Sequence, residues 1–190
     1  MTSSTPTLGA ARAAYYEVNG FGSDGGDALA WVPLKIWRFT LEIPNTDGRR
    51  KAVRLHDLHH VLTGYQTDLA GESEIAAWEL ASGCRRMPAA FVLNLFALAI
   101  GLVICPVRLA RAWARGRATQ NLYTEDGVDH LLPRAVTDVR ASLGLAAAPP
   151  NVTVRDVLAM TLLALPPLAV MLALVAAPFA GLWLAVNALL

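Results

Sequence analysis

Cysteine is nearly missing from this chain: Cys84 and Cys105 are the only two in 190 residues, and no paired thiolate spacing surrounds either. That excludes a disulfide-stapled secreted scaffold and a zinc ribbon. It leaves two free thiols in a reducing compartment, with Cys105 serving as a small apolar residue. Charge is also scarce, since Asp, Glu, Lys and Arg supply 16% of the residues where soluble domains average about 25%. The net charge of +1 gives no field that would gather nucleic acid, and no basic stretch is interleaved with aromatics. A targeting signature is missing too: Arg12 is the one basic residue before Glu17 and no apolar core accompanies it, so no cleaved leader is expected. Apolar residues fill the space, at 55% of the chain, which points to a membrane. The length suits one domain with an appendage, and the part before residue 150 can bury a core.

The first 30 residues are Ser/Thr-rich and then Gly-rich around Phe21 to Gly26, and read as a flexible N-terminus. From Trp37 to Ile43 the chain alternates, with Trp37, Phe39, Leu41 and Ile43 on one face, as a half-buried strand does. Pro44 to Gly48 is a turn, after which Arg49 to Arg54 either return as a second strand or open a helix. Arg49, Arg50, Lys51 and Arg54 are the densest basic patch, best read as a solvated face.

The most informative stretch runs from His56 to Glu72. On a helix, His56 and His60 lie one turn apart and about 40° from each other, so two imidazoles can converge on one ion. Leu55, Leu58 and Leu62 fall on the other side, an apolar face for the core. Thr63 and Gly64 end the helix, and Glu72 opens a second one that runs toward Ser82 and Gly83 and can face the first. Two histidines and a carboxylate suit a divalent metal ion, iron or zinc, and leave coordination positions open. Asp57 is a fourth candidate, as a ligand, an acceptor that fixes an imidazole tautomer, or a catalytic general base. Glu79 is placed outside the ligand set, and His59 and His130 are given no role.

The pattern His-Asp-x-x-His, eleven residues, Glu, carried by His56, Asp57, His60 and Glu72, resembles the signature of the coenzyme Q biosynthesis protein 4 family. Trp78-Glu79, Cys105-Pro106-Val107-Arg108-Leu109, Arg115-Gly116-Arg117, Asn121-Leu122-Tyr123 and Val139 to Leu145 follow in that family's order, so the resemblance covers about residues 50 to 145. It implies a mainly helical protein at a membrane, a divalent metal on the four motif residues, and a prenylated lipid ligand. It also implies a role in ubiquinone synthesis, either oxidative decarboxylation and hydroxylation at ring carbon 1 of a prenylated quinone precursor or organisation of other quinone-biosynthesis proteins. The chain differs from the family in having only 55 residues before the motif and an apolar tail at its end.

Residues 88 to 107 carry no charge and could span a bilayer, but Asn94 and Gly101 favour a core helix or the wall of a lipid cavity. Arg108, Arg111, Arg115 and Arg117 follow, which would keep that end on the cytoplasmic side and suit anionic headgroups. Residues 121 to 145 are amphipathic and close the domain, and 146 to 156 form a linker. From Val157 to Leu190 there is no charge, enough for about 51 Å of helix against a hydrocarbon core of about 30 Å. One kinked transmembrane helix, broken at Pro166-Pro167 or Pro178, is preferred to a hairpin.

The expected protein is therefore mainly α: a helical metal-binding domain over residues 31–145 with a small N-terminal β element, and a C-terminal transmembrane anchor over 157–190. Three functions follow from different classes. One is a metal-dependent enzyme at the cytoplasmic membrane, its main domain on the cytoplasmic side, acting on a prenylated quinone precursor. Another is a non-catalytic lipid-binding scaffold. The third is a zinc hydrolase, ranked last because Asp57 is a methylene shorter than the usual Glu base of a zincin helix.

Overall fold

The computed structural model describes residues 5–36, 39–125 and 127–189. It is mainly helical with one small sheet. The N-terminal stretch, expected to be loop, forms helix α1 over Leu8–Asn19. Thr7 caps it by accepting from the Ala10 amide, and Gly20 ends it in the left-handed conformation at φ 69°. Backbone amides of Leu8 and Gly9 donate to the carbonyls of Arg134 and Leu132, which ties α1 to the closing segment of the domain.

Strands β1 (Trp31–Ile36) and β2 (Phe39–Pro44) pair as an antiparallel ribbon, with Trp31 opposite Pro44 and Val32 opposite Ile43. The expected strand at 37–43 falls within β2 from Phe39 onward, while Trp37 and Arg38 lie outside the described residues. The segment after the turn does not return as a strand. Thr46 accepts from the Arg49 amide, Asp47 occupies the first turn, and helix α2 runs over Asp47–Thr63 to a left-handed cap at Gly64.

Helix α3 (Leu69–Ser82), capped by Asp68, is the centre of the domain and packs on both α4 (Pro88–Ile104) and α5 (Pro106–Arg117). Ile75, Ala76, Ala77 and Trp78 are all buried, so α3 has almost no solvent face. Two glycines permit this closeness. A Cβ on Gly116 would stand 2.4 Å from the Trp78 carbonyl oxygen, and one on Gly101 would stand 2.6 Å from the Ser73 Cβ. Trp78 also donates from Nε1 to Thr119 Oγ1 at 2.8 Å. The main core lies between α2, α3, α5 and a closing segment that contains the 3-10 turn Leu122–Thr124 and helix α6 (Val136–Ser142), with Leu58, Leu62, Leu109, Leu122 and Val139 buried.

Residues 88–107 do not form one long span: α4 stops at Ile104 and the chain turns into Pro106. Ala90, Asn94, Leu98, Ala99 and Gly101 are buried, and Val92, Leu93, Val103 and Ile104 remain exposed, so α4 is a wall of the domain with an apolar outer side. The last helix, α7 (Val154–Leu189), is continuous through Pro166, Pro167 and Pro178 rather than a hairpin. Its first half docks on α4 through Met160 and Ala164, and Asp156 accepts from Arg117 Nε at 2.7 Å. Beyond Met171 the described side chains of α7 touch little of the domain and are exposed. This helix is long and apolar enough to cross a membrane, with a mean hydropathy of 2.3 over its most apolar window.

Candidate metal centre

Helices α2 and α3 are joined by a short loop, Gly64 to Asp68, which brings the last two turns of α2 against the first turn of α3. Because His56 and His60 share a face of α2, both imidazoles point across this hairpin at Glu72. The His56 and His60 Nε2 atoms are 3.1 Å apart, His56 Nε2 is 3.2 Å from Glu72 Oε2, and His60 Nε2 is 3.3 Å from Glu72 Oε1. Ligand atoms at the usual 2.0–2.1 Å from one ion, at bond angles between a right angle and the tetrahedral value, stand about 2.8–3.4 Å apart. The three side chains fit that spacing and could hold a metal ion.

The hydrogen bonds behind the imidazoles fix which nitrogen is free. The Tyr65 carbonyl can only accept, so His60 Nδ1, 2.9 Å away, carries its proton and donates it. His56 Nδ1 donates to Glu79 Oε1 at 2.9 Å. Both rings therefore turn Nε2 toward the shared point. Two neutral rings in that state would set lone pair against lone pair at 3.1 Å, so the geometry calls for a cation or a proton between them. Burial opposes protonation of His56, yet Glu79 and Glu72 outweigh it and raise its pKa well above the ordinary value. Burial likewise opposes ionisation of Glu72, but hydrogen bonds and charge from both histidines hold its pKa down to about 2.

Glu79, which the sequence left out of the site, is the hub behind it. Its side chain is fully buried, and besides His56 it accepts from His59 Nδ1 at 2.7 Å, from Tyr123 Oη at 2.8 Å and from Asn94 Nδ2. Burial alone would raise its pKa, but the charge of His56 and the hydrogen bonds of His56 and His59 hold it far below the carboxylate range. His59, also given no role, is buried beside it. Its Nε2 accepts from the Leu122 amide at 2.9 Å, which fixes the neutral Nδ1–H tautomer, and burial lowers its pKa in agreement. Partners such as Glu79 orient metal-binding imidazoles and tune their basicity. Tyr15 of α1 stacks on the His60 ring with centroids 5.6 Å apart, closing the site from the N-terminal side.

Asp57, expected as a ligand, an acceptor that fixes an imidazole tautomer or a catalytic base, is not among the three groups that converge. One residue on from His56 it lies about 100° further round the helix, where it is buried near Tyr16 and Arg49. Burial raises its pKa above the ordinary value, with His56 and Tyr16 opposing. His130 is exposed.

Beside the ligands is a cavity of about 180 Å³ reached by His56, Glu72, Asn94 and Tyr123. The rest of its wall is Ala52, Val53, Ala90, Leu93 and Ala97, short or apolar side chains on the buried flank of α2 and on α4. Leu93 is 60% exposed, so the cavity meets the outer apolar side of α4. No protein-family model, no curated protein and no solved structure matches this chain.

Proposed function

We propose that this is a membrane-associated, metal-dependent protein of ubiquinone biosynthesis, acting at ring carbon 1 of a prenylated quinone precursor by oxidative decarboxylation and hydroxylation. The observation that carries the reading is the convergence of His56, His60 and Glu72 at the end of a mostly apolar cavity that begins at the outer side of α4. The resemblance of the same residues to the coenzyme Q biosynthesis protein 4 signature supplies the substrate class. A cavity of about 180 Å³ is of the size that takes a single aromatic ring, benzene fitting a space of about 150 Å³.

A bound divalent metal with three protein ligands has open positions and supplies an electrophilic centre able to engage oxygen or water. The chain's own residues do the rest. Ala52, Ala90 and Ala97 keep the ring slot clear, and Leu93 at its mouth meets the hydrocarbon from which a prenyl tail need not be withdrawn. Tyr123 and Asn94 present polar edges to the slot, and both are held by Glu79. Glu79 keeps the His56 Nδ1 proton in place so that Nε2 stays turned to the site. Helix α7 delivers the domain to the bilayer, with the domain on the cytoplasmic side.

The test is the metal content of protein purified anaerobically in mild detergent, followed by turnover of prenylated hydroxybenzoates in oxygen. About one equivalent of iron in wild type, lost in His60→Ala and Glu72→Ala, together with oxygen-dependent product, is the expected result. Zinc without oxygen-dependent turnover would move the assignment to a structural or hydrolytic metal, and no metal even after reconstitution would end the metal reading.

A further inference from the structure

Next to the α2–α3 loop, Tyr65, Glu74, α5, α6 and the neutral linker before α7 enclose a groove of about 790 Å³. Three arginines line it: Arg111 and Arg115, one turn apart on α5, and Arg140 on α6. Among the described residues, no carboxylate lies within ion-pair distance of any of them. Glu74, the one acid on the groove wall, is already paired with Arg108. Arg115 is held in place, since its Nη1 donates to the Thr63 carbonyl at 3.0 Å and its guanidinium lies over the Tyr65 ring at 5.5 Å.

Three like charges facing one space repel each other, and an anion placed between them relieves that repulsion while using the guanidinium forks as donors. The far wall of the groove is residues 145–152, which carry no acid and offer the Asn151 side chain. That same linker leads directly into α7, whose first exposed side chains are Val154, Val157 and Leu158, apolar, and the basic Arg155. A ligand with a charged end and a hydrocarbon end has a place for each, head in the groove and chains along α7.

We infer that this groove is a binding site for a phosphoryl group, the phosphodiester headgroup of an anionic membrane lipid, held by Arg111, Arg115 and Arg140. The site fixes how deep the domain sits at the membrane, because it stands at the point where the chain passes from soluble domain to apolar helix. It does not depend on the metal reading.

The experiment uses the full chain in mild detergent micelles, titrated with phosphatidylglycerol, with phosphatidylcholine and with inorganic phosphate, and followed by native mass spectrometry and isothermal calorimetry. Phosphatidylglycerol is expected to be retained over phosphatidylcholine, and inorganic phosphate to compete with it weakly. Arg111→Gln and Arg140→Gln should each weaken retention about fivefold, the effect of one basic side chain near an anionic surface. Arg86→Gln, which removes the same charge just before α4, should leave it unchanged. Equal retention of the two lipids would overturn the proposal, and so would equal losses from all three variants. Tight binding of inorganic phosphate with no preference between lipids would show a free phosphoryl anion site and overturn the lipid assignment. The lipid comparison in wild type decides the matter even if a variant misfolds.

Discussion

Helices α3 and α7 reverse the ordinary distribution of polarity. α3 is the most enclosed helix of the domain, yet it carries Glu72, Glu74 and Glu79, the last with no exposed side-chain surface. α7 is the most exposed, yet Asp156 is its last acid and its outer half presents Leu174, Val175, Phe179, Leu182 and Trp183. Each helix is explicable only by what surrounds it. A buried carboxylate is tolerable where donors saturate it, and Glu79 has His56, His59, Asn94 and Tyr123. A bare apolar helix is tolerable where its solvent is hydrocarbon, and the 18 positions from Leu172 to Leu189 amount to about 27 Å of helix, close to the thickness of a bilayer core. The first is accounted for by donors within the fold, and the second has the length and apolarity to cross a membrane.

The comparison is broken most severely by emptying the buried side of it. Glu79→Ala strips four donors of their acceptor at once, and removing one partner of a buried charged network costs about 3–5 kcal/mol. Chemical denaturation in detergent should register a loss of that size. Glu79→Gln keeps the shape and should lower metal affinity about 10–100-fold, read by competition with a chelator. An unchanged affinity would mean that Glu79 does not orient His56.

A smaller effect is expected on the exposed side. Phe179→Arg sets a charge near the middle of the free half of α7 and should disfavour insertion by about 2.5–3.5 kcal/mol, seen as protein extractable by alkaline carbonate. Val18→Arg, also at an exposed site, on α1, is the control and should change nothing. If both variants stay with the membrane, α7 does not cross it.

The smallest effect concerns the joint between the two environments. Hydrogen bonds from Arg117 and Thr153 hold the Asp156 pKa down to about 2. Because the folded value lies below the ordinary carboxyl value, the contribution to α7 docking is full at neutral pH and fades as pH falls from about 4 toward 2. Protection of the 154–164 amides, with exchange corrected for its intrinsic pH dependence, should fall over that window. Asp156→Asn should show the lowered protection at neutral pH, with no further fall on acidification.

The convergence of His56, His60 and Glu72 was legible because it is written at short range. The four-residue spacing of His56 and His60 and the return of the chain to Glu72 need only helix geometry and a turn. Glu79 and His59 were illegible for the opposite reason: their partners, Asn94, Leu122 and Tyr123, come from elsewhere in the chain, and nothing near either residue announces them. Asp57 stands outside the cluster because the residue next to His56 in sequence is about 100° round the helix from it. Helix α1 escaped notice because Leu8 and Tyr16 are the only residues it buries, too few for a periodic stripe, and Thr7 and Gly20 were its sole punctuation. β1 was hidden by Pro33, a residue confined to edge strands, where this two-stranded ribbon indeed places it.

The shortness of the α2–α3 hairpin bears on the order in which the site is assembled. Glu72 follows His56 by only 16 residues, and closing so small a loop costs little chain entropy. The three ligands can therefore meet while most of the domain is still disordered, whereas Asn94 and Tyr123 follow Glu79 by 15 and 44 residues and arrive with later packing. Affinity for an ion would then grow in two steps, a loose capture by the hairpin and a tightening once α4 and the 122–124 turn close over Glu79. An ion captured early would become a folding template, and the same residues would then set how irreversibly it was kept.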